Sequence, residues 1–310
     1  MTSIFFDPNL GDDDRRHRIY GGQIIVLSPT ETTRALCAHA RDMIETAFAG
    51  HDPRTVHETL PVEECVAILA KLKPAFIHHP RCKDLLRALL AELGCDPQET
   101  YFDVPRLRTA MPGDYLASGI AYAFHPHRDT WYSAPPCQLN WWFPVYDMEP
   151  ENGLAFHPRY FSQPVKNSSH TYNYYRWNAE SRANAAQHVK TDTRVQPRPE
   201  EPIELDPQIR PIVPPGGIIL FSGAQLHSTV PNTTGRVRYS IDFRTVHRGD
   251  VAARRGAANV DSACTGTTMR DYLRVSDLSR LDERVVALYD DGVPPDGIAV
   301  YAPGAVGADR

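Results

Sequence analysis

The sequence predicts a mainly β fold with flanking helices, and three observations carry that reading. There are 27 prolines among 310 residues, against an average near 5%, and each proline ring removes an N–H donor and fixes φ, which disfavours a helical bundle. Helical apolar periodicity is concentrated in the first third of the chain and in one stretch near its end. From Thr100 onward, short segments rich in aromatic and β-branched residues recur between Pro/Gly turns, which is the grammar of antiparallel strands.

Taken in order, Ser28-Pro-Thr-Glu31 opens a helix with apolar positions Leu36, Ala40, Met43, Ile44 and Ala47 that stops at Gly50. Pro61 suits the first turn of a second helix running to Leu72. A third runs from Pro80 to Leu93, with Leu85, Leu86, Leu89, Leu90 and Leu93 on one stripe and Gly94 as its stop. Strands are expected over Thr100–Met111, Ala117–Phe124, Cys137–Tyr146, Gly217–Ser222 and Arg236–Val246. Between two of them lies Gln163–Pro202, long enough to be a lid or binding loop, with Tyr172, Tyr174, Tyr175 and Trp177 leading into a short helix over Trp177–Lys190. A final helix is expected over Ser276–Leu288, followed by an irregular tail from Gly292. No repeat or linker divides the chain, so 1–310 reads as one domain. Its parts are a helical 1–99, a β core at 100–247 with the insertion 163–202, and a helical extension 248–310.

Bulk properties mainly exclude. A hydrophobic fraction of 42% with 23% charged residues suits a globular core rather than disorder. A net charge of −5 without a dominant basic block argues against nucleic-acid binding. No apolar run reaches membrane-spanning length, and MTSIFFDPNLGDDD lacks the pattern of a signal peptide. The six cysteines are scattered without a C-x-x-C pair and read as reduced thiols. The expectation is a cytoplasmic protein acting on a small molecule, with the oligomeric state left open.

The chemistry is concentrated in two segments. In Phe124-His-Pro-His-Arg-Asp129, His127-x-Asp129 puts two potential metal ligands on one face of a strand or strand end. His125 lies four residues before Asp129 with a side chain between, so spacing favours His127. His157, His170 and His188 read as surface or lid residues, and His78-His79 have no acid at ligand spacing. Downstream, Pro214–Arg244 reads as a glycine turn, an apolar strand, His227, a turn, and a strand whose alternation puts Arg238, Ser240, Asp242 and Arg244 on one face and Val237, Tyr239, Ile241 and Phe243 on the other. If Pro231–Gly235 is a hairpin turn, Arg238 comes near His227 on the neighbouring strand. Two imidazoles and a carboxylate occupy one face of an Fe(II) octahedron and leave three positions open. A 2-oxo acid fills two of them, and its far carboxylate calls for a planar, bidentate cation such as arginine.

On these residues the chain resembles the Fe(II)/2-oxoglutarate dioxygenases of the phytanoyl-CoA dioxygenase-like family over about residues 100–247. The resemblance implies a double-stranded β-helix core (jelly roll, cupin-like). It makes His127, Asp129 and His227 the metal ligands and catalytic centre, and Arg238, eleven residues after His227, the 2-oxoglutarate anchor in preference to Arg236, which shares its face. Ser240 follows in an R-x-S pattern. Glu151-Asn-Gly153 followed by Phe156-His-Pro158 resembles the family's E-N-G turn and next strand, although His157-Pro-Arg-Tyr160 stands where the family has P-G-S-H. The implied cofactors are Fe(II), 2-oxoglutarate as co-substrate, and O2. The implied reaction hydroxylates a C–H bond with release of succinate and CO2, and a carboxylate at Asp129 favours this over halogenation.

Gln138 and Asn140, polar on an otherwise aromatic strand, are candidate 2-oxoglutarate or substrate contacts, because a buried amide needs partners. Trp131, Tyr132, Arg244 and Tyr174 are candidate substrate contacts. Two other readings of the same triad are a cupin-like isomerase or hydrolase, which has no need of Arg238, and an inactive jelly-roll binding protein.

Overall fold

The computed structural model describes residues 2–122, 124–189 and 191–290, so the tail from Gly292 and Lys190 lie outside the described residues. The N-terminal third holds β1 (Ile4–Phe6), α1 (Asp12–Tyr20), β2 (Ile24–Leu27), α2 (Glu31–Ala47), α3 (Val62–His78) and α4 (Pro80–Glu92). The three amphipathic helices anticipated from the apolar spacing correspond to α2, α3 and α4. The cap of α2 is Thr30, paired reciprocally with Thr33; Ser28 is occupied elsewhere, its Oγ donating to Asp7 Oδ2 at 2.6 Å. Helix α3 runs past Leu72 and through Pro74.

The middle of the chain supplies β3 (Thr100–Phe102), β4 (Arg106–Ala110), β5 (Leu139–Pro144), β6 (Leu154–Phe156), α5 (Tyr174–Glu180), β7 (Ile218–Ser222), β8 (His227–Thr229) and β9 (Arg238–His247). Then come α6 (Arg248–Ala252), β10 (Leu273–Arg274) and α7 (Glu283–Val286). Eight strands form one sheet in the order β1-β2-β7-β5-β9-β3-β10, with β4 also paired to β9, and β6 and β8 form a separate two-stranded sheet. Within the large sheet only β1–β2 is parallel. The ten-residue β9 organises it: one edge takes β4 through Arg238–Asp242 and β3 through Thr245–His247, while β5 runs along the other.

The result is mixed α/β rather than mainly β, with a large sheet compatible with a jelly-roll-like core. Four expectations are corrected. The sheet does not begin at residue 100, since β1 and β2 belong to it. Both are too short to show periodicity, and α1 opens on Asp12, Asp13 and Asp14, which suit a helix N-terminus but show no apolar stripe. The described part of Ala117–Phe124 is a 3-10 turn at Gly119–Ala121, not a strand; Gly119 has φ +59°, and a Cβ there would meet the carbonyls of Ala185 and His188. Helix α5 starts earlier than Trp177, at Tyr174, and continues as a 3-10 segment, Arg182–Gln187. The helix expected over Ser276–Leu288 shrinks to α7, because Leu278 takes a left-handed φ of +62° and Asp282 caps the chain anew.

The apolar face of β9 (Tyr239, Ile241, Phe243) packs with β5, β7, α2, α3 and α4 in the main core. The polar face is thereby turned toward the site. Among the described residues, no helix is long and apolar enough to cross a membrane.

Candidate metal centre

His127 and His227 are brought together by their own backbones. His127 N donates to His227 O at 3.0 Å and His227 N to His127 O at 2.9 Å, a reciprocal antiparallel bridge that sets the two imidazoles 4.4 Å apart, centroid to centroid. His127 Nδ1 lies 2.8 Å from His125 O and His227 Nδ1 3.0 Å from Gln225 O. A carbonyl only accepts, so each Nδ1 carries the proton and each Nε2 keeps its lone pair for a metal. Asp129 starts a 3-10 turn, Asp129–Tyr132, and its Oδ1 is 3.6 Å from His127 Nε2. Ligand atoms of these three buried residues all lie within 4.8 Å of one another.

The residue between His127 and Asp129 explains why the loop holds this shape. Arg128 turns away and is buried, donating from Nε to Asp261 Oδ2 at 3.0 Å, from NH1 to Ala224 O at 2.6 Å, and from NH2 to the carbonyls of Tyr160 and Gln163. Asp261 also accepts from Trp131 Nε1 at 2.7 Å and from Val165 N at 3.0 Å. Trp131 is therefore a fully buried anchor packed on Tyr160, Val165 and Leu226, and it does not line the cavity, contrary to its expected role as a substrate contact. Sequence reasoning passed over Arg128 and Asp261; a charged residue inside an H-x-D, forced to the opposite face, was the available signal.

Asp129 is held from the other side by amides. Gln138 Nε2 donates to Asp129 Oδ2 at 2.9 Å and to Asn140 Oδ1 at 2.8 Å, while its Oε1 accepts from Tyr272 OH at 2.7 Å. Arg244 Nε sits 3.7 Å from the same Oδ2 and its NH1 3.3 Å from Asp103 Oδ2. Burial by itself would raise the Asp129 carboxyl; the imidazole of His127 beside it and the positive charge of Arg244 outweigh it and hold it well below the usual carboxylate range. Burial, then repulsion from His127, pushes His227 down to about 3. The pair Asp129/His227 is thus carboxylate and neutral imidazole near pH 7, the state a divalent cation requires. Gln138 and Asn140 line the cavity, but Gln138 is committed to orienting Asp129. Gln138→Leu is expected to weaken metal affinity by about 10- to 100-fold, read by Co(II) titration.

Arg238 is the second polar feature. It is buried while Arg236 is exposed, a distinction that strand parity does not make. Its NH1 donates to Ser240 Oγ at 3.2 Å, its guanidinium lies over Trp142 at 5.3 Å, and among the described residues its Nε has no hydrogen-bond partner. Burial brings its pKa down to about 10. The hairpin expectation is corrected: β8 pairs with β6 and β9 with β4, β5 and β3. Arg238 and His227 instead line one cavity of about 550 Å³ from two different sheets. The chain between them turns at Asn232, whose Nδ2 donates to Ala110 O and Arg236 O.

Tyr132, Tyr174 and Arg244 also line this cavity. Tyr132 stands edge-on to His127 at 5.5 Å, and Tyr174 OH donates to Asp271. The insertion 163–202 contributes Tyr172, Trp177, Asn178, Arg194 and Gln196 to the wall. His157, expected at the surface or in a lid, is buried between Ser228 Oγ (3.0 Å) and Leu205 O (3.1 Å).

No family model matches the chain, so the motif resemblance to the phytanoyl-CoA dioxygenase-like group has no counterpart there. No curated protein matches it either. Among solved structures it is similar to ThoJ, a non-heme monooxygenase in its apo form, at 13% identity over 75% of this chain and 76% of that one, with TM-score 0.40. It is also similar to EvdO2 from Micromonospora carbonacea var. aurantiaca complexed with 2-oxoglutarate, at 15% identity over 77% and 92%, with TM-score 0.43. A third is the epimerase SnoN in complex with Fe3+, alpha ketoglutarate and nogalamycin RO, at 12% identity over 76% and 85%, with TM-score 0.38. At such identities it is the site's own geometry that bears on function.

Proposed function

We propose that the chain is a non-haem Fe(II)- and 2-oxoglutarate-dependent oxygenase that hydroxylates a C–H bond of a small polar metabolite or natural-product intermediate. The main sheet and the β6–β8 pair are read as the two sheets of a double-stranded β-helix. One observation carries the reading: a buried guanidinium, Arg238, with an unpartnered Nε, lines the same cavity as a cluster of two imidazoles and one carboxylate. An unpaired buried cation is costly in a folded chain unless an anion completes it.

The donor set fits the metal, since two imidazoles and one carboxylate suit Fe(II) and leave positions open. Bound there by His127, Asp129 and His227, Fe(II) would supply the O2 chemistry in which 2-oxoglutarate becomes succinate and CO2 and one oxygen atom enters the substrate. The protein's part is orientation. Arg238, with Ser240 beside it, would take the far carboxylate of 2-oxoglutarate through paired charge-assisted hydrogen bonds. Gln138, held by Tyr272, keeps Asp129 Oδ2 engaged so that Oδ1 faces the histidines. Aromatic walls restrict water.

Mixing the chain with Fe(II) and 2-oxoglutarate under anaerobic conditions should give a weak visible metal-to-ligand charge-transfer band, and air with substrate should convert 2-oxoglutarate to succinate. A chain that binds metal but gives no band contradicts this reading and favours the cupin-like isomerase or hydrolase, which has no use for Arg238.

A further inference from the structure

Six cationic side chains line the cavity: Lys73, Arg106, Arg108, Arg194, Arg238 and Arg244. Four have a carboxylate within ion-pair distance: Arg106 with Asp103, Arg108 with Asp242, Arg194 with Asp192, and Arg244 with Asp103, Asp129 and Asp242. Among the described residues, Lys73 and Arg238 have none. Arg238 is assigned above to the co-substrate. Lys73 remains.

Lys73 reaches the cavity because α3 turns one face to it: Ala70, Lys73, Pro74 and Ile77 all line the wall, at the i, i+3, i+4, i+7 spacing of a single helix stripe. The half-buried ammonium donates to two neutral acceptors, Thr109 Oγ1 at 3.1 Å and Ile120 O, and has a third N–H to give. Asp242, the carboxylate whose charge acts on Lys73, is already bound by Arg108 through 2.6 and 3.4 Å contacts. Burial, with repulsion from Arg108 added, outweighs the pull of Cys65 and Asp242 and brings the Lys73 pKa down to about 7. The space beyond is aromatic, with Trp142, Trp177, Tyr172, Tyr132, Phe124 and Phe221 on the wall. A cavity of about 550 Å³ falls in the range of roughly 300–1,000 Å³ that holds drug-sized ligands, leaving room beside a five-carbon diacid.

We infer that the cavity takes an organic anion, an apolar or aromatic body bearing one carboxylate or phosphate that seats on Lys73. Calling that occupant the substrate rests on the oxygenase reading; the anion seat itself does not.

The test uses the full chain without metal and three probes of like shape: phenyl phosphate, benzoate and neutral benzyl alcohol. Binding is followed by the fluorescence of the wall tryptophans. At least one anion should bind about tenfold or more tighter than benzyl alcohol, and the comparison of the two anions tells phosphate from carboxylate. In Arg238→Met, which removes the carboxylate anchor assigned to the co-substrate, the preference should persist; adding Lys73→Gln should erase it and adding Lys73→Arg should keep it. In the unmutated chain the preferred anion should also slow acetylation of Lys73 by acetic anhydride, read by peptide mass spectrometry, which needs no variant to fold. Equal binding of benzyl alcohol, no binding of either anion, a preference in Arg238→Met unaffected by adding Lys73→Gln, or a preference lost in Arg238→Met alone would each overturn the seat. Because iron and 2-oxoglutarate are absent, failure here leaves the oxygenase reading standing, and a missing charge-transfer band leaves the seat standing.

Discussion

Arg238→Met should raise the 2-oxoglutarate concentration needed for half-saturation by roughly 30- to 1,000-fold, the equivalent of about 2–4 kcal/mol for removing one partner of a buried, charge-assisted pair. Fe(II) affinity should change no more than a few-fold, because Arg238 touches none of the three ligands; its side-chain hydrogen bond goes to Ser240. Thermal stability should hold or increase. The guanidinium is buried, with Nε lacking a partner among the described residues, and exchanging a buried charge without a carboxylate for an apolar side chain of similar reach removes a desolvation cost. Function and stability would then move in opposite directions, as expected where a site stores strain for its ligand. A 2-oxoglutarate titration of the charge-transfer band and a melting curve on the same preparation check both halves. An unchanged half-saturation would remove Arg238 from the co-substrate site.

His227→Ala should lose metal binding outright in the micromolar range, on the order of 100-fold or more in affinity, since it removes a ligand rather than a residue supporting one. The loss should be separable from unfolding. The side chain contributes one hydrogen bond to the fold, from Nδ1 to Gln225 O, worth about 1 kcal/mol, together with ring contacts to Phe156 and Phe221. The bridge to His127 runs through backbone atoms that alanine keeps. Equilibrium dialysis against Co(II), with circular dichroism for the fold, gives the answer. Undiminished metal binding would place the metal elsewhere.

How much of this could be read beforehand depends on the range of the interaction. Helices α2, α3 and α4 were legible because their stripes and stop signals are local. The H-x-D pair and His227 were legible as a candidate cluster because ligand chemistry restricts residue type and spacing, and the fold brings the three together. Strands β1, β2 and β10 were not, since two to four residues carry too little pattern. They become strands because β7, β2 and β3 offer them an edge. The place of Trp131 is not legible for the same reason: a tryptophan beside Asp129 faces a cavity or the core according to which partner meets it, and the partner is Asp261, 130 residues away.

By itself the sequence determined the identity of the cluster, His127, Asp129 and His227, and the alternation on β9 that puts Arg238, Ser240, Asp242 and Arg244 on one face. Only the tertiary structure decided which of those cations keep a counter-charge. Arg236 and Arg238 share a parity, yet one is exposed and the other buried, with no carboxylate at ion-pair distance among the described residues. Arg244 is drawn to Asp103 and Asp129, and Arg108 to Asp242, which leaves Lys73 with neutral partners. Residue type sets what a side chain can bind. Whether it is still free to bind depends on burial and on charges contributed by distant segments, quantities that come into being only when the chain has closed around the site.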